Sequence, residues 1–204
     1  VANKMAEVVE ASSAAFVCQC YELNGAPSLG AFIRVGDPAV YAVVQNVSTG
    51  ALDPGRRVMA RGADEESEDA LYQSNPQLSR LLSTHVDALI VGYGLGDAVR
   101  HGLPPTPPRL HGFVYACQAE EVVAFTRHQG PSVGGAQAWR FDFLHLLVQS
   151  RAPAADEVIA ACVRGAAACQ REPQPFLVAA GKALAMELGS EIGRLNAILR
   201  GLKT

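Results

Sequence analysis

Over the first hundred or so residues the apolar positions fall in short runs of period two, each cut off by turn formers. Phe16, Cys18 and Cys20 alternate with Val17, Gln19 and Tyr21, and the runs Gly30-Ala-Phe-Ile-Arg-Val35 and Val40-Tyr-Ala-Val-Val-Gln-Asn-Val47 follow. Side chains two apart share one face of a strand, so each run predicts a strand. Asn24-Gly25, Gly36-Asp-Pro38, Thr49-Gly50 and Asp53-Pro-Gly55 stand between or after them as turn formers. Short strands at this spacing predict a small barrel or sandwich. Val86-Asp-Ala-Leu-Ile-Val-Gly92 returns to strand, Pro104-Pro-Thr-Pro-Pro108 is a stiff connector, and Leu110 to Cys117 is a last strand.

A polar segment interrupts this region. Asp64-Glu-Glu-Ser-Glu-Asp69 precedes Leu71, Leu78, Leu81 and Leu82, with Pro76 dividing the segment. Acids at this place suit the first turn of a solvated helix, whose N–H groups and positive dipole end face them. An acidic docking patch for a basic partner is the other use of such a run. The pattern then changes to helical. Ala119–His128 predicts a short helix, Gly130-Pro-Ser-Val-Gly-Gly135 a loop, and Phe141 to Gln149 a buried helix or strand. Asp156 to Gln170 predicts a helix with its acids at the start. Pro175 to Leu202 predicts one long helix, with Leu184, Leu188, Ile192, Leu195, Leu199 and Leu202 as its apolar stripe. Beside that stripe stand Gly181, Ala185, Gly189, Gly193, Ala197 and Gly201, each four apart. Such a row predicts a shallow groove that another helix can approach closely.

The fold class expected is therefore α+β. An antiparallel barrel domain spans residues 1–117 with a helical insert at about 64–83, and a helical region spans 118–204. Apolar residues make up 49% and charged residues 18% of the 204, which suits a chain with a real core. The net charge is −3, and Arg56, Arg57 and Arg61 are the only basic cluster of the acidic first half. Direct binding of nucleic acid, which needs clustered cations, is not expected. No apolar run is long enough to span a membrane. Five scattered cysteines suggest reduced thiols, and with them a cytoplasmic location.

Candidate chemistry changes this picture little. Ala88-Leu-Ile-Val-Gly-Tyr-Gly-Leu-Gly-Asp97 has G-x-G-x-G in place of the G-x-G-x-x-G of a dinucleotide turn, so a glycine-rich strand exit is expected. Gly181-Lys182 lacks the rest of a phosphate-binding loop. Cys18 and Cys20 share a strand face, yet two thiols do not complete a tetrahedral metal site. Cys162 and Cys169, with Ile159 and Ala166, suggest helix core. His85, His101, His111, His128 and His145 show no ligand spacing, and there is no G-x-S-x-G elbow. No catalytic, cofactor-binding or metal-binding residue is assigned.

From about residue 6 to 117, the order of strands, Asp53-Pro54, the acidic insert, Asn75-Pro-Gln-Leu78, Ala88–Tyr93 and Pro104 to Val114 resembles a HAS barrel. That is the N-terminal barrel of HerA-type hexameric DNA translocases and of the α and β subunits of F-type ATP synthase. The resemblance implies an assembly collar or docking surface, since the barrel itself does no chemistry. The large ATPase domain that follows in those families has no counterpart in the remaining residues. The expected role is a non-enzymatic interaction or assembly module whose partner is a protein, a ring ATPase among the candidates, or further copies of the chain. An accessory role in DNA processing, and an enzyme with its site between barrel and helices, are the alternatives.

Overall fold

A computed structural model of the chain describes residues 3–53, 55–96, 98–127, 139–150, 152 and 154–203. The strands are β1 (Ala6–Ala11), β2 (Ala15–Cys20), β3 (Phe32–Val35), β4 (Val40–Ala51), β5 (Leu82–Leu95), β6 (Ala98–His101) and β7 (Phe113–Ala116). Their pairings are antiparallel and run β1–β2–β5–β4–β3–β7 and back to β1, which closes a six-stranded barrel. Closure removes the open edges that a small sheet would otherwise expose. The end of β5 carries β6 as a hairpin outside the ring, pairing Gly92–Leu95 with Ala98–His101. Register shifts between Tyr41 and Ala42 and between Val44 and Asn46 let the long β4 bend as it follows β5.

Two cores explain why β3, β4 and β5 are apolar on both faces. Phe16, Cys18, Ile33, Val35, Ala42, Val44, Val86, Ala88 and Ile90 point inward and fill the barrel. Phe32, Val43 and Val91 point outward into a second core built mostly by helices. A strand covered on both faces loses the clean alternation of a half-exposed one. The run Val40-Tyr-Ala-Val-Val44 is such a case.

The helices over that outer face are α3 (Ala119–Thr126), α4 (Leu144–Gln149), α5 (Ala155–Ala168), α6 (Pro173–Leu188) and α7 (Ile192–Gly201). The acidic insert supplies α1 (Glu68–Ser74) and α2 (Leu78–Leu81). Ser67 caps α1 by accepting from the Ala70 N–H, with Glu68 and Asp69 in the first turn, and no residue of α1 is buried. The α5 helix is the centre of the layer, burying Val158, Ile159, Cys162, Val163, Ala166 and Ala167. It passes so close to the barrel that a Cβ at Gly30 would lie 2.5 Å from the Cys162 nitrogen. Phe141 to Gln149, undecided by period, holds α4 with Leu144, Leu147 and Val148 buried. The loop Gly130–Gly135 lies outside the described residues.

One sequence expectation is corrected. Pro175 to Leu202 is two helices, because Gly189 takes φ +51° and ψ −108° and ends α6. Hydrophobic periodicity runs through the break: Leu184 and Leu188 are buried on α6, Ile192 is exposed, and Leu195 and Ile198 pack again on α7. The row of small residues is broken with it. Gly201 packs against α5, where an added Cβ would meet the Ala160 Cβ at 2.9 Å, whereas Gly193 faces open space. Gly193→Ala is therefore expected to stabilise the protein by about 0.5 kcal/mol, less than the roughly 1 kcal/mol of a helix interior because Gly193 is the second residue of α7. The shift of a urea unfolding midpoint checks this.

Candidate functional site

The helical layer carries a groove of about 1140 Å³ between the C-terminal half of α5, α6 and the C-terminal half of α7. Its walls follow from helix spacing. On α6, Leu177, Val178, Gly181, Lys182 and Ala185 share one face; on α7 Asn196, Leu199 and Arg200 share another, and Lys203 follows just past the helix end. The two helices separate at Gly189, and the inner sides, Ala180 and Leu184 of α6 and Ile198 of α7, stay in the core. The outer sides then face each other across the groove.

Gly181 and Ala185 keep the α6 wall low. A Cβ at Gly181 would lie 3.4 Å from the Leu199 Cδ2, so leucine from α7 fills the space that a side chain there would take. Leu177, Leu199 and Leu202 are half-buried and give the groove its apolar part. Around it stand Arg164, Lys182, Arg200 and Lys203, and none of the described lining residues is acidic. That is a local excess of cations on a chain of net charge −3. Arg164 is already used: its Nη1 donates to the Gly201 carbonyl, which fixes a cation at the negative end of α7. Among the described residues no ion pair or hydrogen bond engages the side chains of Lys182, Arg200 or Lys203. Arg194 Nη2 and Nε both donate to Asp156 Oδ1, at 2.8 and 3.1 Å, and tie the other end of α7 to the start of α5.

Among the described residues, aromatic rings pack between barrel and helices. Phe32, Phe125 and Phe143 meet with ring centroids 5.2 to 5.7 Å apart, Tyr41 packs on Phe125, and His101 stacks on Phe125 at 4.5 Å. His101 Nε2 donates to the Phe125 carbonyl at 2.9 Å, which leaves Nδ1 as the bare nitrogen, buried without a hydrogen-bond partner among the described residues. Asp142 Oδ2, on an exposed side chain, stands 3.7 Å from it. Burial pushes the His101 pKa down to about 4, helped by the charge of Arg140. In the unfolded chain His101 takes up its proton near the ordinary value of about 6.5. The unfolded state thus binds more protons between those values, so stability is present above about pH 6.5 and is lost as pH falls toward 4. His101→Gln is expected to flatten that stretch of a stability-versus-pH curve, by up to about 1.4 kcal/mol per pH unit at its steepest.

The other residues singled out in the sequence do not gather. Cys18 and Cys20 lie inside the barrel, and burial raises both thiols, Cys18 to about 12. Burial likewise raises Cys117 to about 12, Cys162 still further, and Cys169. Protonated thiols are poor nucleophiles and poor metal ligands. Cys162 is core as expected, but Cys169 follows the end of α5 and is half-exposed. His111 pairs with Glu7 at 2.5 Å on the barrel surface, and that bond with one from Tyr21 draws the Glu7 carboxyl below its ordinary range. His145 pairs with Glu187 at 2.8 Å. His128 is outside the described residues. Among the described residues no three His, Cys, Asp or Glu side chains come together as a metal would require.

The glycines of the G-x-G-x-G run serve packing and a turn. A Cβ at Gly92 would lie 2.6 Å from both the Arg100 carbonyl and the Phe125 ring, and Gly96 turns the chain from β5 into β6. No helix follows to receive a pyrophosphate. Arg56, Arg57 and Arg61, the basic cluster of the first half, lie in the exposed segment between β4 and α1, where Arg56 faces Asp53 at 3.6 Å. No helix is long and apolar enough to cross a membrane among the described residues. No protein-family model matches the chain, and no curated protein matches it either.

The basic rim is the feature that reading by composition missed. Its signal was present as spacing: Lys182 sits one residue after Gly181 and three before Ala185, and Arg200 and Lys203 follow Leu199 at one and four.

Proposed function

We propose that this protein is a non-enzymatic interaction or assembly module that receives a helix from a protein partner in the groove between α5, α6 and α7. The observation that carries this reading is the groove itself, apolar within, low-walled at Gly181 and Ala185, and rimmed by cations of which three have no side-chain partner among the described residues. Grooves of this kind accept an amphipathic helix through its apolar face. Two further observations argue against chemistry. Among the described residues, aromatic rings pack between barrel and helices, where the alternative reading would put an active site. The thiols are held protonated by burial.

The closed six-stranded barrel is compatible with a HAS barrel, and on that resemblance a ring ATPase is the partner to try first. In that arrangement the barrel is a collar or docking surface and the helical layer supplies the specific contact. The reading is tested by placing a photo-crosslinking amino acid at Ala185 in the protein's own cells, with a control at the exposed Val58 in the segment between β4 and α1. A discrete protein adduct at Ala185, absent at Val58 and lost on Lys182→Glu/Arg200→Glu, is expected. Failure to form any adduct, or one indifferent to those charges, contradicts it.

A further inference from the structure

We infer that the helix taken by this groove is acidic, its apolar strip flanked by aspartates or glutamates. The inference rests on the groove being a docking site and specifies the chemistry of its occupant. The cations sit on two sides: Lys182 on the α6 wall, Arg200 and Lys203 on the α7 wall, with the apolar residues between them. A helix laid along the floor would bury its strip on Leu177, Leu199 and Leu202 and place its flanks beside these charges. Carboxylates at the flanks gain a partner on each wall, whereas lysines there meet like charge on both.

Solvent-exposed pairs of this kind contribute little individually, but a ring of one sign selects among partners and speeds encounter. Because Arg164 spends its guanidinium on the Gly201 carbonyl, α7's negative end does not cancel the rim. The floor suits a helix in shape as well. Ala185 is small and exposed, so a partner's backbone can approach this part of α6 closely, beside the Leu199 side chain that covers Gly181.

The test is a display library of helical peptides about 16 residues long, roughly 24 Å, selected against the full chain. Recovered peptides are measured against wild type, Lys182→Glu/Arg200→Glu and Ala185→Trp. All three altered positions are exposed, and an unchanged unfolding midpoint establishes that each variant is folded. The expected result is an apolar strip flanked by acids, with affinity falling about tenfold or more on charge reversal and weakening with added salt. Ala185→Trp should remove binding by raising the α6 wall into the groove. Peptides that need Ala185 but show neutral or basic flanks would overturn the acidic partner and leave the docking groove standing. Peptides indifferent to Ala185→Trp would overturn both. A dimer of the chain alone, dissociated by Ala185→Trp in sedimentation, would make a second copy the occupant and also overturn the inference.

Discussion

Gly30→Ala should cost about 3 kcal/mol or more, read as a lowered urea midpoint for the whole protein. Two separate penalties add at this residue. Its φ of +78° is one that a side chain adopts only under strain. Its missing Cβ is the space through which α5 passes, with the Cys162 nitrogen at 2.5 Å, the Ala161 carbonyl carbon at 2.8 Å and the Ala161 Cβ at 2.7 Å from where the new atom would sit. Two of those atoms are backbone in the middle of a helix whose far face is packed on α6 and α7, so α5 has nowhere to go. Overpacking of this kind costs about 1–3 kcal/mol before the backbone strain is added. A loss under about 1 kcal/mol would mean that α5 is not pressed on the barrel as described.

Phe125→Ala is expected to cost a comparable amount, about 3–5 kcal/mol, the usual range for a buried phenylalanine. The ring is fully buried and touches Phe32 and Tyr41 from the barrel, Phe143 from the residues before α4 and His101 from β6. No other ring in the molecule reaches both the barrel wall and the helical layer through so many partners, among the described residues. Its loss would leave a cavity lined by rings that cannot all close in. Phe125→Leu should recover most of the stability, which separates volume from aromatic contact. Barrel and helices are then expected to unfold in one transition. Two separated transitions in either variant would show that the cores are energetically independent.

The barrel was legible because its strands alternate and its turns carry glycine, proline and asparagine. Phe16, Cys18 and Cys20 point inward as their spacing demands. The apolar length of Val40–Val44 was equally readable, but its cause was not, since only the fold places Val43 under helices and Ala42 within the barrel. Periodicity failed at Gly189. A pattern of leucines four and three apart registers the face of a helix, not whether the axis continues, and one residue at positive φ redirects it. That single turn decides the candidate site, because it separates the outer faces of α6 and α7 and opens the groove between them. Gly181 and Ala185 belong to it, Gly193 does not, and Gly201 is occupied by α5. A row uniform in sequence therefore has three different surroundings. The rim was missed for a related reason: Arg164 is distant in sequence from Lys182, Arg200 and Lys203, and a net charge of −3 hides four cations brought together by folding.

The central claim, that the groove is a protein-docking surface, is tested most directly by amide hydrogen exchange with a crosslinked partner or selected peptide bound. Slower exchange confined to residues 177–185 of α6 and to 196–203, the second half of α7 and the turn after it, with the barrel strands unchanged, is the expected outcome. Protection along the outer wall of β1 and β7, with α6 and α7 exchanging as in the free chain, would contradict it.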